Sequence, residues 1–267
     1  MHSIQQSVCL KEVDMIDSDF FQEVKHTLVP WLGYHLHVPV FYHDIRFISA
    51  SYLAPLEKVR KLLPSSRLHP FPVMPGRAAV SITAYQYLES DLGPYNEVIF
   101  SIPVSIDRSM PQFTGSLRKS PSPVITFIHT IPVTTEIARK VGLEFAGYPK
   151  FIAEIEFEED ENWVTCHLSL QENLILRLKG RKLSCGQTPR LRVSPLTCKE
   201  GYLLRSEFVI SGREMGFSRR KEDVVLTLGD DPIADPLKSL NLKSASSYGY
   251  CPHAKGILTP VFESFSM

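Results

Sequence analysis

Residues 142 to 158 read Gly142-Leu-Glu-Phe-Ala-Gly-Tyr-Pro-Lys-Phe-Ile-Ala-Glu-Ile-Glu-Phe-Glu158. The second half alternates: Phe151, Ala153, Ile155 and Phe157 fall on one face, Ile152, Glu154, Glu156 and Glu158 on the other. Successive side chains of a strand point to opposite faces, so this period of two predicts a half-buried strand. Glu159-Asp-Glu-Asn162 then supplies a hairpin turn, and a partner strand from Trp163 carries Val164, Cys166, Leu168 and Leu170 on one side, the pattern continuing through Leu174, Leu176 and Leu178. The first half closes a helix. Thr134 or Thr135 caps Glu136 to Phe145, Glu136 places a favourable carboxylate in the first turn, and Gly147 and Pro149 mark the end. Lys150 therefore stands at a helix-to-strand junction.

Working outward, strands are expected over 38 to 52, 78 to 88, 96 to 106 and 123 to 133, separated by Gly, Pro, Asp and Ser punctuation. Pro55 to Leu63 reads as a helix with Pro in its first turn and Pro64 as its stop. Phe20, Phe21, Val24 and Leu28 recur at helical spacing, which predicts a helix over 17 to 31, capped by Asp17 or Ser18 and ended by Pro30. The polar stretch 107 to 122 is expected to be a long exposed loop. Further strands are expected at 201 to 211 and 224 to 228, and a short helix at 236 to 240. No internal repeat or linker divides the chain. The expectation is one α+β, strand-rich domain over 1 to 267, with an antiparallel β-barrel-like core, a few peripheral helices, and residues 1 to 37 as a helical extension packed on it.

The chain has 267 residues, 43% of them apolar and 22% charged, a globular composition with enough apolar matter for a sizeable core. Lys plus Arg and Asp plus Glu both number 29, so no net field favours nucleic acid, an acidic partner or a membrane surface, and a small-molecule substrate is the better expectation. Arg177, Lys179, Arg181 and Lys182 form a basic edge without the interleaved aromatics of a nucleic-acid surface. The five cysteines, Cys9, Cys166, Cys185, Cys198 and Cys251, show no zinc-binding spacing, and His35, His37 and His43 lack a third ligand, so no metal is expected. Free thiols suit a reducing compartment. With no signal-like start and no apolar run near the roughly 18 residues of a membrane span, a soluble cytoplasmic protein is expected.

Lys150 is the residue with the sharpest chemical potential. A lysine has an unperturbed pKa near 10.4 and shows its free amine in only about one molecule in a few thousand at neutral pH. An amine held out of water can attack a carbonyl. On composition alone, a lysine opening a strand is a surface residue.

The wider pattern carries more. Gly142-x-Glu-x-x-Gly-Tyr-Pro-Lys150 resembles the signature of the acetoacetate decarboxylase family, and the resemblance extends along most of the chain. Phe41 to Pro64 resembles that family's early strand and helix, Gly93-Pro-Tyr-Asn-Glu-Val98 its segment with an active-site carboxylate, and Leu226 to Leu237 its closing region. The resemblance implies a lyase that needs no cofactor: the amine of Lys150 forms an iminium with a β-keto acid, and Glu97 orients substrate or moves protons. It further implies Arg46, Tyr95 and Tyr148 as substrate-binding residues, Glu144 and Phe151 as residues behind them, and a homo-oligomer. A gap-free register from Pro64 lands on Ile45 instead of Arg46.

The chain departs from the family pattern in two places. Phe151 stands where the family has a second lysine, and no acidic residue occupies Ser81 to Ala84, where the family has another carboxylate. Across a strand the second lysine would point away from the first, so Phe151 is expected to add apolar surroundings at no cost to the nucleophile. Two other functions fit the same residues: aldol, retro-aldol or dehydration chemistry on a larger keto acid, and a non-catalytic ligand-binding barrel. Gly212-Arg-Glu-Met-Gly-Phe217 repeats part of the signature, but Ser218-Arg219 follows in place of Pro-Lys, so it reads as a coincidence or a structural turn.

Overall fold

The alternating runs pair into a sheet that closes on itself. In the computed structural model, which describes residues 20–22, 24–31, 34–107 and 123–267, a hairpin of β1 (Thr27–Trp31) and β2 (Tyr34–Val38) precedes the long strand β3 (Val40–Pro55) and helix α1 (Leu56–Arg60). Next come β4 (Leu68–Pro70), β5 (Pro72–Met74), β6 (Arg77–Ser90), β7 (Tyr95–Ile106), β8 (Val124–Val133), α2 (Glu136–Ala146) and β9 (Lys150–Ile152). The second half holds β10 (Glu154–Glu159), β11 (Trp163–Leu170), β12 (Asn173–Arg181), β13 (Leu191–Lys199), β14 (Tyr202–Arg205), β15 (Phe208–Ser218) and β16 (Val224–Leu228). It ends with α3 (Asp235–Ser239), β17 (Ser247–Leu258) and β18 (Glu263–Ser266).

Seven strands, in the order β13, β15, β17, β3, β6, β7 and β8, form the barrel, closed where β8 pairs back onto β13. That closing pair is parallel, as is the pairing of β9 on β8; the other barrel neighbours are antiparallel. Closure removes the exposed edges that an open sheet would leave. A second sheet, β10-β11-β12-β16, covers one outer flank.

Strand parity divides the apolar residues into an outer and an inner core. On β3, β6 and β7 the even positions Ile48, Ala50, Tyr52, Ala78, Val80, Ile82, Ala84, Val98 and Phe100 pack outward against Val164, Cys166, Leu168 and Leu178 of the covering sheet. The odd positions Ile45, Phe47, Tyr85, Tyr87 and Tyr95 face inward and meet Ile128, Ile131, Phe208 and Met215. Helix α2 packs on the inner cluster through Ala138, Val141 and Ala146. Each large side chain removed from water here contributes about 1.5–3 kcal/mol against the entropy of ordering the chain.

The strand-rich barrel agrees with the sequence expectation, and four details differ. The expected helix over 17 to 31 is an edge strand at Thr27–Trp31; a strand edge tolerates Pro30 and keeps Leu28 and Val29 extended, while residues 17–19 and 23 lie outside the described set. Residues 108–122 of the expected loop also lie outside it. Thr135 occupies the cap position of α2 without a side-chain cap bond, and the Thr134 hydroxyl accepts from the Asn96 N–H at 2.9 Å. The stretch Gly212 to Phe217 is no turn but part of β15, interrupted by register shifts between Gly212 and Glu214 and between Glu214 and Gly216. The strands β13 and β17, in stretches where the sequence pattern announces no strand, complete the barrel. Among the described residues no helix is long and apolar enough to cross a membrane.

Candidate active site

The turn that ends α2 delivers Lys150 to the barrel interior. Gly147 adopts φ +60°, a left-handed conformation that suits glycine, and the N–H groups of Gly147 and Tyr148 both donate to the Gly142 carbonyl. Pro149 ends the helix, and Lys150 then pairs with Ile131 of β8. Its aliphatic stem runs along Gly142: a Cβ at that position would lie 2.6 Å from Lys150 Cδ and 2.7 Å from Cε. The glycine of the signature is thus the groove in the helix through which the lysine passes.

Lys150 Nζ donates to Glu97 Oε2 at 2.6 Å, and both side chains are buried, 7% and 5% exposed. Glu97 is carried in by the β6–β7 hairpin, in which Tyr85 pairs with Glu97 and Tyr87 with Tyr95. The start of β7 is fastened to the start of α2, since Asn96 and Thr134 exchange two hydrogen bonds. Helix, lysine and carboxylate therefore share one rigid frame.

Phenols surround the pair. Tyr87 donates to Glu97 Oε1 at 3.1 Å, the Tyr42 and Tyr95 hydroxyls lie 3.1 Å apart, and the Tyr148 hydroxyl lies 2.9 Å from Ser206 Oγ. The rings of Tyr95 and Tyr148 sit 5.5 and 5.7 Å from Lys150 Nζ, within cation–π range. Burial, reinforced by the charge of Glu97, pushes the phenols of Tyr42, Tyr85 and Tyr87 far above their ordinary value, and burial does the same for Tyr95 and Tyr148. They stay protonated near neutral pH and are available as donors.

Two chambers meet at the amine. The inner one, about 40 Å³, is lined by Tyr87, Glu97, Ile99, Ile131 and Phe208 among others; the outer, about 60 Å³, lies between α2 and the barrel mouth. Tyr42, Tyr148, Lys150 and Leu258 border both. A carbonyl carbon brought to Nζ would thus have room on either side.

The model of the family described as acetoacetate decarboxylase matches residues 29–255. The chain belongs to the acetoacetate decarboxylase family. Its fold is that of an acetoacetate decarboxylase from Legionella pneumophila, 14% identical, with a TM-score of 0.66 over 94% of this chain and 95% of that one. A second solved acetoacetate decarboxylase is 17% identical, with a TM-score of 0.57 over 86% and 89% of the two chains. The enduracididine biosynthesis enzyme MppR, in complex with pyruvate, is 13% identical, with a TM-score of 0.58 over 85% and 89%. No curated protein matches the sequence.

Of the residues that the acetoacetate decarboxylase resemblance singled out, the structure brings Lys150, Glu97, Tyr95 and Tyr148 together. Arg46 is not with them. It lies on the outward-facing parity of β3 and bonds Glu159 of the covering sheet at 3.1 Å, whereas its neighbour Ile45, on which the gap-free register landed, faces inward. Glu144 is on the exposed side of α2, where its carboxylate accepts from Trp31 Nε1 at 2.9 Å and so ties the β1–β2 hairpin to the helix, not the amine. Phe151 packs on the outer core, so the apolar surroundings of Lys150 come from Val141, Ile131, Phe208 and the tyrosines instead. Tyr42 and Tyr87, which line the chambers, are not singled out by the sequence, and His37, weighed there only as a metal ligand, lies at the rim of the outer chamber. Only the β6–β7 register that sets Tyr87 opposite Tyr95 could have flagged one of them.

Proposed function

We propose that this chain is a cofactor-independent lyase that decarboxylates a β-keto acid through an iminium on Lys150. The observation that supports this reading most is the buried Lys150–Glu97 contact at 2.6 Å, an amine with a proton acceptor shielded from bulk water. Glu97 takes a proton from the ammonium, and the freed amine adds to the ketone carbon. The carbinolamine loses water to give the iminium, with Glu97 returning the proton that the departing hydroxyl needs.

The iminium nitrogen then accepts the electron pair of the bond that holds the carboxylate, so carbon dioxide leaves and a neutral enamine remains. A substrate carboxylate next to Glu97 would lose its charge in this step, relieving repulsion between like charges in a low-dielectric site. One proton added to the enamine carbon and one water added to the resulting iminium release a methyl ketone and restore the lysine. The buried phenols hold the carbonyl oxygen while it is converted to hydroxyl.

Carbon dioxide release from 3-oxo acids, compared between the wild-type protein and Lys150→Ala and Lys150→Arg, tests this. Release by the wild type, lost in both variants, is expected; equal rates in all three would end the proposal. An iminium that forms without carbon dioxide release, followed by condensation of the enamine with an aldehyde, would select the aldol-type alternative. That alternative gains support from the absence of Arg46 from the chamber and from a relative seen with pyruvate.

A further inference from the structure

The walls of the outer chamber narrow the substrate class. Resting on the Schiff-base reading above, we infer that this enzyme acts on keto acids whose ketone bears an extended apolar substituent, and that the outer chamber is the binding site for that tail.

The outer chamber runs from the amine to the surface, past buried Tyr42, Ala138, Val141 and Ala146 to the exposed rim residues His37, Phe145 and Pro260. Of its lining, only His37, Tyr42, Tyr148, Lys150 and Thr259 carry polar side chains; the rest is aliphatic, aromatic, proline or glycine. Among the described residues that line the two chambers, Lys150 is the only Lys or Arg. Once Lys150 is bound covalently, no Lys or Arg side chain is left in this lining to hold a second acidic group, and the stretch of wall formed by Ala138, Val141, Gly142 and Ala146 carries no polar side chain. The carboxylate partner of the amine lies on the opposite side, where Glu97 and the Tyr87 hydroxyl that donates to it line the inner chamber, whereas the polar residues particular to the outer one are His37 at the exposed rim and Thr259.

The asymmetry orients the substrate. With the ketone carbon at Nζ, the carboxylate-bearing carbon goes inward to the phenols and Glu97, and the other substituent goes outward between α2 and the mouth. A methyl group, as in acetoacetate, would leave that outer apolar wall uncovered. Each methylene that displaces water from such a wall favours binding by roughly four-fold when fully buried. The open rim sets no sharp upper limit to the tail, since Phe145 and Pro260 are themselves exposed.

The test uses two methyl ketones, acetone and 2-heptanone, which form the same iminium as the expected products. The concentration needed for half-maximal borohydride trapping on Lys150 is measured for each. At least about a ten-fold lower value for 2-heptanone is expected, allowing for partial burial of its four additional methylenes. In Val141→Trp, which fills the outer chamber, the ratio between the two ketones should collapse toward one. In Phe145→Ala, a change at the exposed rim, the ratio should fall by a smaller factor. Because each ratio is taken within one protein sample, a loss of folded fraction cancels. Trapping of both ketones with equal half-maximal concentrations, or a ratio that Val141→Trp does not alter, overturns the tail site while leaving the Schiff-base reading intact. No adduct with either ketone or with any keto acid overturns the Schiff-base reading itself.

Discussion

Substituting one hydrogen by a methyl group at Gly142 should disable the amine while sparing the fold. The added Cβ would stand 2.6 Å from Lys150 Cδ and 2.7 Å from Cε. Carbon atoms in contact settle at about 3.5–4.0 Å, so the lysine stem must move by about 1 Å. It cannot swing away freely, because its backbone is paired with Ile131 and its Nζ is held by Glu97. The energetic terms for the fold nearly offset: alanine gains up to about 1 kcal/mol over glycine within a helix, and overpacking costs about 1–3 kcal/mol. The net loss of about 0–2 kcal/mol corresponds to a fall of only a few degrees in melting temperature for a chain of this size. A displacement of about 1 Å at a reacting atom, however, costs on the order of a hundred-fold in rate. The assay pairs thermal denaturation followed by circular dichroism with the rate of borohydride trapping in the presence of a methyl ketone. Gly142→Ala that traps at the wild-type rate while remaining folded would refute the packing of the lysine stem against the helix as the device that places the amine.

Other substitutions probe the surroundings of the pair. Lys150→Met strands the buried Glu97 carboxylate with the Tyr87 hydroxyl and should cost about 3–5 kcal/mol; adding Glu97→Gln should recover part of that, so urea midpoints that show two additive losses would contradict a coupled pair. Arg46→Met should lose no more than about 1 kcal/mol of stability with its half-exposed bridge to Glu159 and should leave the KM for keto acids unchanged; a large rise in KM would return Arg46 to the substrate site. Burial holds the His129 imidazole below its ordinary pKa, so the folded state resists its protonation and loses stability as pH falls below about 6.5, the value in the unfolded chain. Wild type should therefore weaken relative to His129→Gln between pH 7.5 and pH 5, and a difference in stability independent of pH would show that His129 is not the group responsible.

The parts of the molecule built from local pattern were legible in the sequence. Alternation from Phe151 to Phe157 and the turn at Glu159 to Asn162 gave the β10–β11 hairpin, and Gly147 and Pro149 marked the end of α2, because strand parity and left-handed caps act within a few residues. The resemblance of Gly142 to Lys150 and of Gly93 to Val98 to segments of the family pointed to Lys150 and Glu97, whose side chains the structure places 2.6 Å apart. What escaped was set by contacts distant in sequence. β13 contains Pro195 and β17 contains Gly249, Pro252 and Gly256, residues that read as loop. At Gly256 a Cβ would lie 2.7 Å from both Ile45 Cδ1 and Phe208 Cε2, so the glycine that weakens the strand signal is what lets the barrel core close over it.

The site shows the same division. Arg46 and Ile45 differ by one residue, and one residue of register moves a side chain from the inside of the barrel to the outside. The register shifts between Tyr42 and Asp44 and between Asp44 and Ile45 decide which of the two faces inward, and no local pattern in the sequence announces them. The same irregularity brings Tyr42 into the inner cluster alongside the odd-numbered residues, where it borders both chambers. Tyr42 is therefore a product of the same shift that excludes Arg46.

The central claim is that one buried amine forms the covalent bond to substrate. Incubation of the wild-type protein with a methyl ketone, reduction by borohydride and peptide mass mapping should place the alkyl adduct on Lys150 and on no other lysine. An adduct spread over exposed lysines in proportion to their number, or an unmodified Lys150 after reduction with every ketone and keto acid offered, would contradict it.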